Sequence, residues 1–150
     1  MSEQEAAKKP SSAGRRKARH YAMQTIYGWQ IAGGSAAEVE AKFRADNDMS
    51  NVDLLYFHEL LQGVVGHGDE LDALYVDYLD RSLKELDHVE RALLRMASFE
   101  LAERIDVPYK VVINEAVALA KKFGATDSYK YLNGVLDASA KKLREAETNS

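Results

Sequence analysis

Residues 15–34 read RRKARHYAMQTIYGWQIAGG, and this stretch decides both the kind of fold and the kind of partner to expect. Ala18, Ala22, Ile26 and Trp29 recur at helical spacing, so one face of a helix from about Arg15 to Ala32 is apolar. Gly33-Gly34 ends it, because glycine accepts the backbone conformation that closes a helix. Arg15, Arg16, Lys17 and Arg19 crowd positive charge into the first turn, where the helix dipole disfavours cations, so their presence there has a poor structural rationale. Arg15 and Arg19 lie one turn apart, and Arg16, His20, Met23 and Tyr27 form an adjoining row. Both rows are expected to stand clear of the buried stripe. Cations beside an aromatic ring suit an unpaired RNA strand, the guanidinium groups holding phosphates and the ring stacking on a base.

The periodicity continues outward from this helix. Residues 1–14 lack it and carry Pro10, Ser11, Ser12 and Gly14, so a flexible leader is expected there. Ser35 and Glu38 make a capping pattern for a short helix reaching about Ala45. Ser50 and Asp53 open a third, with Leu54, Phe57, Leu61, Val64 and Val65 on one face. Gly63, Gly66 and Gly68 bend or break it before Leu71, Leu74, Tyr75, Tyr78 and Leu79 resume the pattern to about Asp80. Ser82 to Leu86 reads as one helical turn. Asp87 and Glu90 cap a helix that buries Val89, Leu93, Met96 and Ala97 and ends near Arg104. Pro108 suits the first turn of the next, which Gly124 closes after Phe123. Thr126 or Asp127 caps the last helix, with Leu132, Val135, Leu136, Ser139 and Leu143 inward and a frayed polar tail from Glu145. No segment alternates with a period of two. The predicted fold is all-α, about seven helices in two packed sets, over 15–80 and 82–144 of a domain spanning 15–144, with 145–150 as tail.

Composition narrows the function. With no cysteine, disulfides, thiolate nucleophiles and cysteine-type zinc sites are excluded together. His20, His58, His67 and His88 have no metal-ligand spacing, so no metal is expected. The glycine-rich 63–68 segment lacks the Lys-Ser/Thr of a phosphate loop, and no serine sits in a nucleophile elbow, so neither a cofactor nor a catalytic site is expected. No apolar run approaches the ~20 residues that span a bilayer, and no secretory signal pattern opens the chain, so a cytoplasmic protein is expected. The net charge of −4 is unevenly placed. Residues 1–20 hold six basic groups (Lys8 and Lys9 among them) against Glu3 and Glu5, while the remainder is strongly acidic. A basic arm on an acidic body points to a polyanion partner. Tyr129 and Tyr131 cannot both face the core of the last helix, so at least one is expected at the surface.

Several motifs together resemble one family. The basic run followed by Gln24-Thr-Ile-Tyr27-Gly-Trp29-Gln30 is similar to the N-terminal helix of the NusB transcription antitermination factors. So are Val52-Asp-Leu-Leu-Tyr56-Phe57, Asp106-Val-Pro108-Tyr109-Lys110 through Ala116, Ala120-Lys-Lys-Phe123-Gly124 and Asn133-Gly134-Val135-Leu136-Asp137. The resemblance covers about residues 15–140. It implies two helical subdomains, of three helices and then four. It also implies binding to the boxA element of ribosomal RNA leader transcripts together with NusE, a small-subunit ribosomal protein, in a complex with other Nus factors on RNA polymerase. Carried over by position, Arg15, Arg16 and Arg19 would hold phosphates and bases with Lys17 assisting. Tyr27, Asp127 and Tyr131 would line the same RNA surface, Tyr131 standing where the family often has phenylalanine. Glu90 would face NusE. A homodimer is open to such proteins. Two other readings are a detached RNA-recognition domain related to RNA cytosine methyltransferases, for which no cofactor-binding domain is visible, and a helical protein-binding scaffold.

Overall fold

The computed structural model describes residues 11–149, so Lys8, Lys9 and most of the expected leader lie outside the described residues. Helix α1 spans Ser12–Ala32, three residues earlier than the periodicity suggests. Ser11 supplies the reason: its Oγ accepts the Gly14 N–H at 2.9 Å, and the Gly14 carbonyl accepts from Asp53 N–H at 3.1 Å. Gly33, at φ 77°, closes the helix in a conformation that a side chain disfavours.

Helix α2 (Ala36–Asp46) is capped by Ser35, which takes the Glu38 N–H. Helix α3 (Leu54–Val64) is capped by Asp53 through the Tyr56 N–H. The chain breaks before α4 (Gly68–Tyr75), which continues as a single 3₁₀ turn over Val76–Tyr78. The expected turn near 82–86 is 3₁₀ as well, over Leu83–Glu85. Helix α5 (His88–Glu103) carries a complete capping box between Asp87 and Glu90. Helices α6 (Tyr109–Phe123) and α7 (Ser128–Leu143) follow, and a single turn, α8 (Glu145–Thr148), ends the described chain. Among the described residues there is no strand. None of the helices described is long and apolar enough to cross a membrane.

Helix α5 is the hub, packed against α1, α3, α4, α6 and α7. Helix α4, grouped with the first set by sequence, packs on α5 and α7 instead. The core joins Ile26 from α1, Tyr56, Phe57 and Leu60 from α3, Leu93, Leu94, Met96 and Leu101 from α5, and Leu132 and Leu136 from α7, each 2% exposed or less. The expected frayed tail is tied down. Arg144 donates to the carbonyls of Glu100, Leu101 and Arg104 at the end of α5, where a helix leaves its last carbonyls unpaired. Glu147 in turn accepts from Arg144 and from the Tyr109 N–H at the start of α6.

Two ion pairs are buried. Asp72 on α4 takes both Nε and Nη2 of Arg95 at 2.9 Å and also the Tyr75 hydroxyl. Arg19 on α1 grips Glu100 on α5 at 2.8–3.0 Å, with the Tyr56 hydroxyl donating to the same carboxylate. Burial and then the Glu100 charge push the Tyr56 phenol far above its ordinary range, so it remains a donor. Removing one member of such a pair strands a charge in a dry site. Arg19→Ala should therefore cost about 3–5 kcal/mol in urea unfolding, and Arg19→Met with Glu100→Leu should recover most of it. A cost below about 1 kcal/mol for the single variant would contradict this assignment.

Candidate nucleic-acid interface

Successive residues of a helix are turned by about 100°, so four cations in five positions cannot share one face. The structure divides them. Arg19 is 3% exposed and held by Glu100, not the exposed cation that its spacing suggests. Met23, placed by its spacing in an exposed row, is 2% exposed. Both corrections have one cause: α1 is covered by α3 and α5 together, so its buried arc is wider than the Ala18/Ala22/Ile26 stripe. Arg15 follows Arg19 inward by one turn. The two guanidinium carbons lie 4.5 and 5.2 Å from the centroid of the Tyr56 ring, which Arg104 also covers. Arg15 also sits 3.8 Å from Asp53 and 3.7 Å from Asp106, leaving its side chain one-quarter exposed.

Arg16 and Lys17 face outward. Lys17 is exposed, and Arg16, two-thirds exposed, reaches Glu115 of α6 at 3.3 Å. An exposed pair of this kind contributes little, so a phosphate can displace it. That contact brings the start of α1 alongside α6. One turn further on, His20 packs its ring edge against Phe123 at 5.0 Å. Burial lowers the His20 pKa first, and the charges of Lys122 and Lys17 lower it further. This places two lysines from different helices around one imidazole. Lys121 lies 4.9 Å from the centroid of Tyr129, and Lys130 lies 5.9 Å from it on the side of α7. The result is two groups of cations along α6: Arg16, Lys17 and Lys122 around His20 and Phe123, and Lys121 and Lys130 around Tyr129.

Lys121 and Lys122 stand in the last turn of α6, where cations complement the helix dipole, so their placement has a structural use as well. Sequence reading saw them only as part of the Ala120–Gly124 motif. The signal available was the clustering of Lys121, Lys122 and Lys130 around two aromatic residues.

Asp127 begins α7 in the left-handed region, at φ 69°. Its carbonyl accepts from Lys130 and Tyr131, but its side chain makes no capping bond. The expected cap is thus made by position alone, and the carboxylate stands exposed, 3.4 Å from Lys130 Nζ. A non-glycine residue held in that conformation costs roughly 1 kcal/mol or more and is a feature of functional sites. Tyr131, one turn on, is half-buried. Its hydroxyl accepts from the Asp80 N–H, and Arg81 lies 3.9 Å over its ring.

Tyr27 and Glu90 belong to the other end of α1. Tyr27 is 38% exposed and edge-on to His88 at 6.0 Å, at the start of α5. Ile31, one turn beyond it, is 58% exposed. Glu90 is buried: one carboxylate oxygen takes the Asp87 N–H and the other the Ser128 hydroxyl. In this structure the carboxylate, expected to face a partner, lashes α7 to the start of α5.

The fold and these residues define an all-helical protein with a cationic surface. The NusB family model matches residues 16–141, and the chain belongs to the NusB family. A Teredinibacter turnerae protein named transcription antitermination protein NusB is 56% identical over 143 residues, covering 95% of this chain and 97% of its own. A solved structure of T. maritima NusB aligns with a TM-score of 0.68 at 27% identity, covering 95% of this chain and 99% of that one. A chain from a crystal structure of antitermination factors NusB and NusE in complex with dsRNA aligns with a TM-score of 0.76 at 27% identity, covering 88% and 99%. Membership makes this protein a non-enzyme.

The electrostatics of the face can be read at His20. Its imidazole should titrate below the ordinary 6.5 by NMR, and adding short polyphosphate should raise the midpoint by neutralising Lys17 and Lys122. Because the folded pKa is depressed, the unfolded chain binds the proton more readily. The His20 contribution to stability is therefore complete above about pH 6.5 and is lost as pH falls through the folded midpoint. A midpoint that polyphosphate leaves unmoved would show that the two lysines do not converge there.

Proposed function

We propose that this protein is a transcription antitermination factor. In this reading it binds the boxA element of ribosomal RNA leader transcripts together with NusE and, with other Nus factors on RNA polymerase, suppresses premature termination in the cytoplasm. The observation that carries the reading is the cationic face at the junction of α1, α6 and α7, with its interleaved rings and the exposed left-handed Asp127 beside it. It is further supported by family membership, by relatives named as antitermination proteins, and by the solved relative bound to NusE and RNA.

Arg16 and Lys17 hold phosphates, joined by Lys121, Lys122 and Lys130, while Arg15 assists from its partly covered position. Sequence discrimination comes from Asp127, which offers acceptors to base edges, and from Tyr131, whose ring is a stacking surface that Arg81 already covers in part. NusE docks at the opposite end of α1, where Tyr27, Ile31 and His88 are exposed around the start of α5. There Glu90 acts by holding that helix end in shape. A homodimer would cover part of this surface and compete with both.

Fluorescence anisotropy with a boxA-like RNA, a scrambled RNA and the boxA-like RNA annealed to its complement, each with and without NusE, tests the reading. About four neutralised phosphates predict a log–log salt slope of roughly −3, or about fifty-fold weaker binding between 50 and 200 mM salt. Arg16→Ala with Lys17→Ala should reduce the slope by about 1.4 and weaken every RNA alike. Tyr131→Ala should keep the slope and lose about 1–3 kcal/mol of preference for the boxA-like strand. An unchanged slope in the double variant would remove this face from the RNA site.

A further inference from the structure

A cleft of about 850 Å³ opens between α3, α4 and the second half of α5, and shares no residue with the cationic face. Its floor is apolar: Gly63, Leu71, Leu74, Phe99 and Ala102. Gly63 is needed there, because a Cβ at that position would fall 2.1 Å from the Phe99 ring. The glycine lets the ring approach the backbone of α3. Leu55, 68% exposed on α3, lies one turn before the rim residue Glu59 and roughly 12 Å, or about two turns, before Gly63. Ile105, 75% exposed, follows the rim residue Arg104 directly. Glu59 pairs with Arg104, and Arg15 bridges Asp53 to Asp106.

The rim is acidic. Glu59, Glu70 and Glu103 face one cation, Arg104, which Glu59 and Asp106 already engage. Glu70 and Glu103 are exposed and have no ion pair or hydrogen bond from their carboxylates among the described residues. Unmatched negative charge along both sides of an apolar floor is complementary to one kind of occupant. We propose that this cleft is a docking groove for an amphipathic helix of a protein partner, apolar on the face it buries and basic along its edges. Helix-in-groove docking is the mode that fits, since the groove is walled by helices and the described chain has no strand edge to extend. The proposal does not rest on RNA binding.

The test uses a labelled helical peptide of about 18 residues with a Leu/Ala face flanked by lysines, a charge-reversed version carrying glutamates, and a scrambled version with no apolar face. Wild-type protein should bind the first alone, with amide shifts in a ¹H–¹⁵N spectrum clustering at Gln62, Gly63, Leu74, Phe99 and Ala102. Glu70→Lys with Glu103→Lys should weaken that binding by about tenfold at low salt. Reversing two acidic groups elsewhere, Glu38→Lys with Asp137→Lys, should not. Leu55→Lys with Ile105→Lys, two surface changes that leave the core intact, should also weaken it. Affinity for RNA should be unchanged in Glu70→Lys with Glu103→Lys. Shifts scattered over the acidic surface, equal loss in the control variant, or equal binding of the glutamate peptide would overturn the proposal. So would sedimentation showing a wild-type dimer that Leu55→Lys with Ile105→Lys dissociates, because a second copy would then be the occupant.

Discussion

The Arg19–Glu100 pair sets the rotation of the first helix, and much of the surface follows from that rotation. A bidentate contact between α1 and α5, with Tyr56 closing the third side, leaves α1 no freedom to turn about its own axis. Once Arg19 points inward, the helical step of about 100° decides where its neighbours go. Arg15 is carried to the same side and lies over Tyr56, while Arg16 and Lys17 are turned toward α6 and solvent. One buried guanidinium thus decides which cations can meet a polyanion. It does so at a cost in desolvation that an apolar pair would not incur, and the return is a defined orientation of the helix.

The same logic explains which parts of the molecule were legible in sequence. Helices with a clear apolar period and a good cap, such as α5 behind Asp87 and Glu90, were readable almost to the residue. Pattern alone did not distinguish a cation that faces water from one that faces a buried carboxylate. Arg19 and Arg16 are the same residue type three positions apart, and only the position of Glu100, eighty-one residues on, separates their roles. Arg144, at the last position of the expected domain, is a similar case, since nothing in the pattern shows that it reaches the carbonyls at the end of α5. Lys122 was visible as a residue but not as a neighbour of Lys17, because their proximity depends on α6 folding back beside α1.

Charge separation over so small a body has a further consequence. The acidic excess noted in the sequence is not spread evenly as a solubilising coat. One face gathers cations from three helices, and the cleft formed by α3, α4 and α5 carries carboxylates without partners. At physiological salt the screening length is about 8 Å, so each surface acts on its own partner with little interference from the other. A polyanion and a basic protein segment can therefore be held at once by a chain whose net charge is only −4.

Helix α5 makes that arrangement mechanically plausible, because both of its ends are closed by side chains from elsewhere. At the start, Glu90 completes the capping box with Asp87 and reaches Ser128 of α7; at the end, Arg144 collects three carbonyls. A helix satisfied at both termini and buried along most of its length has little to gain by rearranging. Partners that meet its surroundings find a surface already in place, and less of their binding energy goes into ordering the protein. The residues that remain free of the scaffold, Arg16, Lys17 and Asp127 among them, are those whose side chains have no structural duty strong enough to hold them back.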